Sequence, residues 1–414
     1  LGHVDDVFNE EGLSELKGNL GVGHVRYSTA GGSHMYNCQP LVGSLRKRNL
    51  GLVHNGNLVN ANYLKEMLEE DGIMFRGKSD TEVILYILAR YYTGNIVEAV
   101  KLTMDQIKGA YSLVILTDQE LIAVRDPHGF RPLLLGKRDN GEYIFASENC
   151  EIDILGGEFI RDLEPGEIVV IKNGKLKSYN FSNNCKPMKK SCIFEHIYFA
   201  RNDATIDKVN AYEFRVESGK ILSQDEDINA DMVVPVPDSG WPGAIGYANA
   251  SGLPLTEALV KNRYVGRTFI KPTQEERELG VKIKLNPLSR VLKGKSIILV
   301  DDSIVRGTTS KQLVKSLRDA GAKEIHLRIT SPPVKYSCYY GIDTPNRSKL
   351  IASNMNIDEM RDFIGCDSLK FLDIEGMLSA IDEPFNFCKA CFDGKYPMDI
   401  PDYKDADFMD IVKC

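Results

Sequence analysis

Two adjacent carboxylates, Asp301 and Asp302, follow an unbroken apolar run, Ile297-Ile298-Leu299-Val300, and precede a small-residue loop, Gly307-Thr308-Thr309-Ser310. A short β-branched run of this kind predicts a strand buried on both faces, as in a parallel sheet. A helical pattern from Ser310 to Ala320 puts the loop at a helix N-terminus. Ligands of open α/β sheets bind beyond the carboxyl ends of the strands. Free backbone N–H groups and threonine hydroxyls at a helix N-terminus favour a phosphate. Neighbouring carboxylates repel by roughly 4 kcal/mol at about 4 Å and an effective dielectric of about 20. They are tolerable where they accept hydrogen bonds from sugar hydroxyls or face a metal ion. The whole stretch therefore predicts a ribose 5-phosphate ligand, whereas the acidic pair alone would pass for a solvated βα turn.

Other groups are weaker taken singly. His54-Asn55-Gly56-Asn57 reads as a plain turn, because Asn-Gly tolerates positive φ. In Gly77-Lys78-Ser79-Asp80-Thr81-Glu82, either Asp80 or Ser79 suits a helix N-cap. Arg26, in Gly23-His24-Val25-Arg26-Tyr27-Ser28-Thr29, reads as a surface charge on a strand. Val234-Pro235-Val236-Pro237-Asp238-Ser239-Gly240 reads as a strand end, a proline turn and a helix cap. Cys388-Lys389-Ala390-Cys391 is a lone CxxC, open to zinc, redox or coincidence.

The elements that must position these groups fall into two patterns. Up to about Asn180, strand-like runs surround three helical ones. Strands are predicted over Gly21–Thr29, Leu50–His54, Tyr111–Thr117, Leu121–Arg125, Leu133–Leu135 and Tyr143–Ala146. Helices are predicted over Asn60–Glu70, Asp80–Tyr92 and Ile96–Ile107, and Asn173-Gly174 marks a hairpin. This is an α+β layer pattern of two sheets with helices outside. The polar stretch Asn180–Lys190 is the candidate linker. Beyond it, strands at Ile193–Phe199, Met232–Val236, Ile297–Val300 and Glu324–Thr330 alternate with helices, which predicts a doubly wound parallel sheet. Arg263–Leu285 is charged with little apolar periodicity and reads as a mobile loop.

With these residues in place, VDDSIVRGTT resembles the phosphoribosyl-pyrophosphate (PRPP) loop of type I phosphoribosyltransferases, in the form found in the amidophosphoribosyltransferases. The resemblance extends over nearly the whole chain. It implies an N-terminal-nucleophile glutaminase domain of αββα layers (residues 1–182), a type I phosphoribosyltransferase domain (183–380) and a C-terminal segment (381–414). It implies conversion of PRPP and glutamine, or ammonia, to 5-phosphoribosylamine at the start of purine synthesis. The residues matching the glutamine-binding groups are Arg26 and Asp80, with Asn55 and Gly56 as oxyanion hole and Tyr27 tied to coupling between sites. The PRPP-binding positions fall on Asp238, Ser239, Gly240, Asp301, Asp302, Arg306, Gly307, Thr308, Thr309 and Ser310. Arg263–Leu285 resembles the loop that closes over PRPP, with Arg267 and Lys271 facing pyrophosphate. Ser239, Asp301 and Asp302 match Mg²⁺ positions. The contexts of Cys192, Cys338, Cys388 and Cys391 match the branch that carries a [4Fe–4S] cluster. Purine nucleotide inhibitors and a homotetramer are implied as well.

One departure is expected to matter. The family nucleophile is a cysteine at the mature N-terminus, and Leu1–Leu20 contain none. The chain is therefore read as lacking its extreme N-terminus, so that it would use ammonia but not glutamine. Cys38 stands in the wrong place for that role. A rival reading is a non-catalytic PRPP or nucleotide sensor with a relic glutaminase domain. A plain base phosphoribosyltransferase would leave the first 180 or so residues unexplained.

Composition narrows the classes. At 414 residues, two or three domains are expected. A net charge of −7 argues against a general nucleic-acid or membrane binder. No apolar run approaches a membrane span, and the first residues do not read as a secretory signal. Nine scattered cysteines suit a reducing cytoplasm and metal or cluster binding better than a disulfide framework.

Overall fold

The structure, a computed structural model, describes residues 4–25, 35–46, 48–181, 188–224, 226, 228–262, 285–344 and 346–400. Arg26, Tyr27, Cys185, Arg267, Lys271, Cys414 and the predicted mobile stretch 263–284 lie outside the described residues. Among the described residues no helix is long and apolar enough to cross a membrane.

The first section builds two antiparallel sheets from β1 (Leu41–Leu45), β2 (Arg48–Leu58), β3 (Gly109–Thr117), β4 (Glu120–Arg125), β5 (Leu134–Arg138), β6 (Tyr143–Ala146), β7 (Gly157–Asp162), β8 (Glu167–Lys172) and β9 (Lys175–Asn180). One sheet has the order β1-β2-β3-β4-β8-β9 and the other β6-β5-β7. Period-two alternation decides what each face covers. Ile122, Val124, Ile168 and Val170 face helices Ala61–Glu70, Asp80–Tyr91 and Ile96–Gln106. Ala123 and Val169 face Leu133, Leu135 and Leu163 at the second sheet. Ile152, from the helix Asn149–Ile154, packs with Leu134 and Ala146 on that sheet's outer side. The layers are therefore helix, sheet, sheet, helix. Each fully buried Leu or Ile side chain contributes about 1.5–3 kcal/mol to holding them together.

In the second section β13 (Met232–Pro235), β16 (Ser296–Asp301), β17 (Glu324–Ile329) and β18 (Ser368–Phe371) form a parallel sheet in that order. Smaller pairs are β10 (Ser191–Cys192) with β19 (Phe387–Cys388), β11 (Thr205–Ile206) with β12 (Val209–Asn210), and β14 (Leu259–Lys261) with β15 (Leu285–Pro287). Ile298 and Val300 face helices Ala211–Leu222 and Trp241–Ser251, while Ile297 and Leu299 face helices Thr308–Asp319 and Ile357–Ile364. A strand covered on both faces has no polar side, hence the unbroken apolar run. The first two helices touch through their backbones. A Cβ on Gly246 would stand 1.8 Å from the Val216 carbonyl oxygen.

Two expectations fail. Gly21–Val25, the described part of the first predicted strand, is irregular and pairs with no strand. Ile193–Phe199 is not a strand: pairing ends at Cys192, and Glu195–Phe199 is a π-helical turn. The cause is Arg215, whose guanidinium donates to the carbonyls of His196 and Ala200 at 2.7 Å each and so holds the turn closed. The helix Asn149–Ile154 and strand β7 carry no period long enough to be read from sequence.

Candidate functional site

The sheet of the second section has a topological switch at β13. The chain leaving β13 returns beside it at Leu255, which bridges Val233, while β16 lies on the other side. Crevices at such points take ligands. Here the loop after β13, Pro237-Asp238-Ser239-Gly240, meets the end of β16. The Val236 N–H donates to the Val300 carbonyl at 2.9 Å. Gly240 is required by this approach, because a Cβ there would stand 2.5 Å from the same oxygen. Asp302 is buried and accepts from the hydroxyls of Ser239 and Ser303. Burial raises the pKa of Asp301, and the neighbouring Asp302 charge raises it further. Burial also raises Asp302, although Ser239, Ser303 and the more distant Arg215 pull the other way. The pair is thus short of positive charge. A hard divalent cation with carboxylate, hydroxyl and substrate oxygens fits this donor set. Asp238 is exposed and paired with Lys261.

The loop after Asp302 turns at Gly307, with φ of 73°, into the helix Thr308–Asp319. No side chain caps this N-terminus. Its first-turn N–H groups have no intrahelical partners, and the exposed Arg306, Thr308 and Thr309 surround them, with Ser310 buried behind. An uncapped helix N-terminus of this kind favours an anion.

The first section holds a pocket of about 910 Å³ lined by His24, Asn55, Gly56, Asp80 and Arg131 among others. Asn55 and Gly56 lie within β2, opposite Ser112 and Tyr111 of β3, so the plain-turn reading of this motif is wrong. Gly56 has φ of 151°, and a Cβ on it would stand 2.0 Å from the Ala110 oxygen. Ser79 caps the helix Asp80–Tyr91, which frees Asp80 for the pocket. The Asp80 carboxylate accepts the Leu58 N–H at 3.0 Å and lies 3.6 Å from the His54 ring. Burial pushes Asp80 up, but His54 and the amides of Leu58 and Thr81 outweigh it, and the net shift is downward.

Cys192, Cys338, Cys388 and Cys391 line one small cavity with Phe130 and Tyr340. The parallel pairing of β10 with β19 sets Cys192 opposite Cys388. Withdrawal from water raises all four thiols, Cys388 to about 12, and neighbouring sulfurs raise Cys192, Cys388 and Cys391 further. Four thiols converging on an apolar cavity could serve as donors to a [4Fe–4S] cluster. Among the described residues no three His, Cys, Asp or Glu side chains are arranged to hold a single metal ion. A four-iron cluster is larger than one ion, and its thiolates stand further apart. Cys150, Cys192, Cys338, Cys366, Cys388 and Cys391 form no disulfide.

Comparisons with known proteins follow the same division. The family described as glutamine amidotransferase domain matches residues 24–153, and that described as phosphoribosyl transferase domain matches 217–331. An amidophosphoribosyltransferase of Methanothermobacter thermautotrophicus is 49% identical over 404 residues, covering 97% of this chain and 85% of that protein. The chain belongs to the amidophosphoribosyltransferase family. A relative from Synechocystis is 48% identical over 408 residues, covering 97% of this chain and 82% of its own. The solved structure of the B. subtilis glutamine PRPP amidotransferase, complexed with ADP and GMP, superposes with a TM-score of 0.85 at 45% identity, covering 92% of this chain and 83% of that one. The chain is accordingly an enzyme of the first step of purine biosynthesis, a glutamine amidotransferase joined to a phosphoribosyltransferase.

Some residues that shape this amidophosphoribosyltransferase have no sequence signal. Arg125 of β4 and Asp207 of the β11–β12 turn form a fully buried ion pair between the two sections. Arg131, on the wall of the amide pocket, pairs with Glu195 at 2.7 Å, three residues after Cys192. Neither pair belongs to a motif or a period. Only the fold brings their partners together.

Proposed function

We propose that the acidic pair at the switch point carries PRPP chemistry. The observation behind this is the meeting of Ser239, Asp301 and Asp302 beside an uncapped helix N-terminus. Gly307 to Ser310 take the 5-phosphate, with Arg306 at the rim. Asp301 and Asp302 orient the ribose hydroxyls, and Asp238, Ser239 and Gly240 take the pyrophosphate with Arg267 and Lys271. Ammonia attacks the anomeric carbon as the C–O bond to pyrophosphate breaks, and the attacking nitrogen then loses a proton. The protein's tasks are positioning and exclusion of water. Mg²⁺, held by Ser239, Asp301 and Asp302, neutralises charge on the leaving group when bound.

In the first section, Arg26 and Asp80 hold the glutamine carboxylate and α-amino group, and Asn55 with Gly56 stabilise the oxyanion. The depressed pKa of Asp80 supports its share, because an α-ammonium needs an ionised partner. The four cysteines hold a [4Fe–4S] cluster that pins residues 381–414 to the phosphoribosyltransferase domain of 183–380. Free cysteines suit the cytoplasm. The ADP and GMP in the B. subtilis structure support inhibition by purine nucleotides here, and a homotetramer is the proposed assembly.

The test is the full chain supplied with PRPP, Mg²⁺ and ammonium. The expected result is pyrophosphate and 5-phosphoribosylamine in equal amounts, lost on chelation of Mg²⁺. Binding of PRPP without pyrophosphate release would support a sensor instead.

A further inference from the structure

We propose that the turn Cys338–Gly341 braces the oxyanion strand, so that occupancy of the cysteine site is transmitted to the amide pocket. The inference rests on the cluster and oxyanion assignments proposed above.

Cys338 lines both cavities and is part of the wall between them. Its sulfur accepts the Tyr340 N–H at 3.3 Å, and its own N–H donates to the Thr344 hydroxyl at 2.7 Å. The sulfur's position therefore sets the path of the turn. Tyr339 and Tyr340 are buried with Val59 and Ala110 of the first section. The Tyr340 ring also stacks on Phe130, with centroids 4.2 Å apart.

From this anchored turn two contacts reach β2. The Asn57 side-chain amide donates to the Tyr339 carbonyl at 3.0 Å. Gly341, with φ of 101°, lies so close to the strand that a Cβ on it would stand 3.0 Å from the Gly56 carbonyl carbon and 3.1 Å from its Cα. The residue whose N–H is to meet the oxyanion thus has β3 on its edge and this turn packed directly upon it. A donor aimed at developing charge acts through being held in place before reaction. Asn57 is a positioning residue here, acting through Gly56.

The experiment is amide hydrogen exchange on the full chain, read by mass spectrometry, before and after anaerobic loading with ferrous iron and sulfide. Visible absorbance reports the cluster independently. Loading should slow exchange across residues 55–57 by roughly fivefold or more, the scale of one net hydrogen bond. It should leave β8, remote from the turn, unchanged. Asn57→Ala and Gly341→Ala should each keep the absorbance and lose the slowing. Should Gly341→Ala fold poorly, Asn57→Ala carries the test alone. Equal exchange in loaded and unloaded protein, or slowing that survives in Asn57→Ala, overturns the inference. Absence of any cluster absorbance overturns the cysteine assignment itself and the inference with it, a failure seen before exchange is measured.

Discussion

The guanidinium of Arg125 meets the carboxylate of Asp207 through two hydrogen bonds, of 3.1 and 2.7 Å, with side-chain exposures of 0% and 2%. Arg125 also donates to the carbonyls of Gly129, Arg131 and Leu163, and Asp207 accepts from the Ser191 hydroxyl and pairs with Lys189. The pair thus joins the six-stranded sheet to the residue before Cys192. Removing one partner of a buried pair leaves an uncompensated charge, at a cost of about 3–5 kcal/mol. Arg125→Met should lower stability by that amount in urea titration. A loss below about 1 kcal/mol, as for a surface pair, would contradict the assignment. Burial works against the charge on Asp207, but Arg125 outweighs it and the carboxyl is held below its ordinary value of 3.8. Its stabilisation is therefore complete above that value and lost only as pH falls through the depressed one.

Asp126 titrates in the opposite sense. Burial lifts its carboxyl to about 6, although the amides of His128, Tyr111 and Phe130 and the charge of Arg125 act against the rise. A raised value means that its contribution is full below about 3.8 and is lost as pH rises through about 6. Carbon NMR of the Asp126 carboxyl should give a midpoint near 6. A midpoint at or below the ordinary value would show that the amides outweigh burial.

Asp301 is raised by burial and by Asp302, so its charge works against the fold at neutral pH. Asp301→Asn keeps an oxygen for the Asp302 N–H and removes the repulsion. It should raise stability near pH 7, because the variant carries no charge to be opposed by burial and by Asp302. The gain should vanish in acid, where the wild-type group is already protonated. A variant less stable than wild type at both pH values would mean that the charge is matched within the chain.

Much of this was legible in the sequence. The apolar run before Asp301, the helix starting at Asp80 and the Asn173-Gly174 hairpin all follow local rules, with φ of 50° and 69° at the two turn residues. The strand, acid pair, loop and helix around Asp301 could be read because they are contiguous. What could not be read is what the fold assembles at a distance. The Arg125–Asp207 pair spans 82 positions and the Asn57–Tyr339 contact 282. The π-helical turn at Glu195 depends on Arg215 reaching it from another helix, so no window of sequence around it carries the signal.

The cysteines give a fourth prediction. Anaerobically loaded protein should hold about four irons per chain. Cys391→Ser, which removes one of the four sulfurs lining the cavity, should lower both iron and visible absorbance. Loading should also release protons, because the thiols are raised when the site is empty. Unchanged iron in the variant would show that the metal binds elsewhere.

The most direct test of the central claim, that Asp301 and Asp302 carry the transferase chemistry, is pyrophosphate release from PRPP by the doubly substituted protein with Mg²⁺ and ammonium. Asp301→Asn with Asp302→Asn should reduce turnover by about 10³ or more, the scale of losing groups that act at the transition state, while the parallel sheet stays folded by circular dichroism. Pyrophosphate release at the wild-type rate would contradict the account.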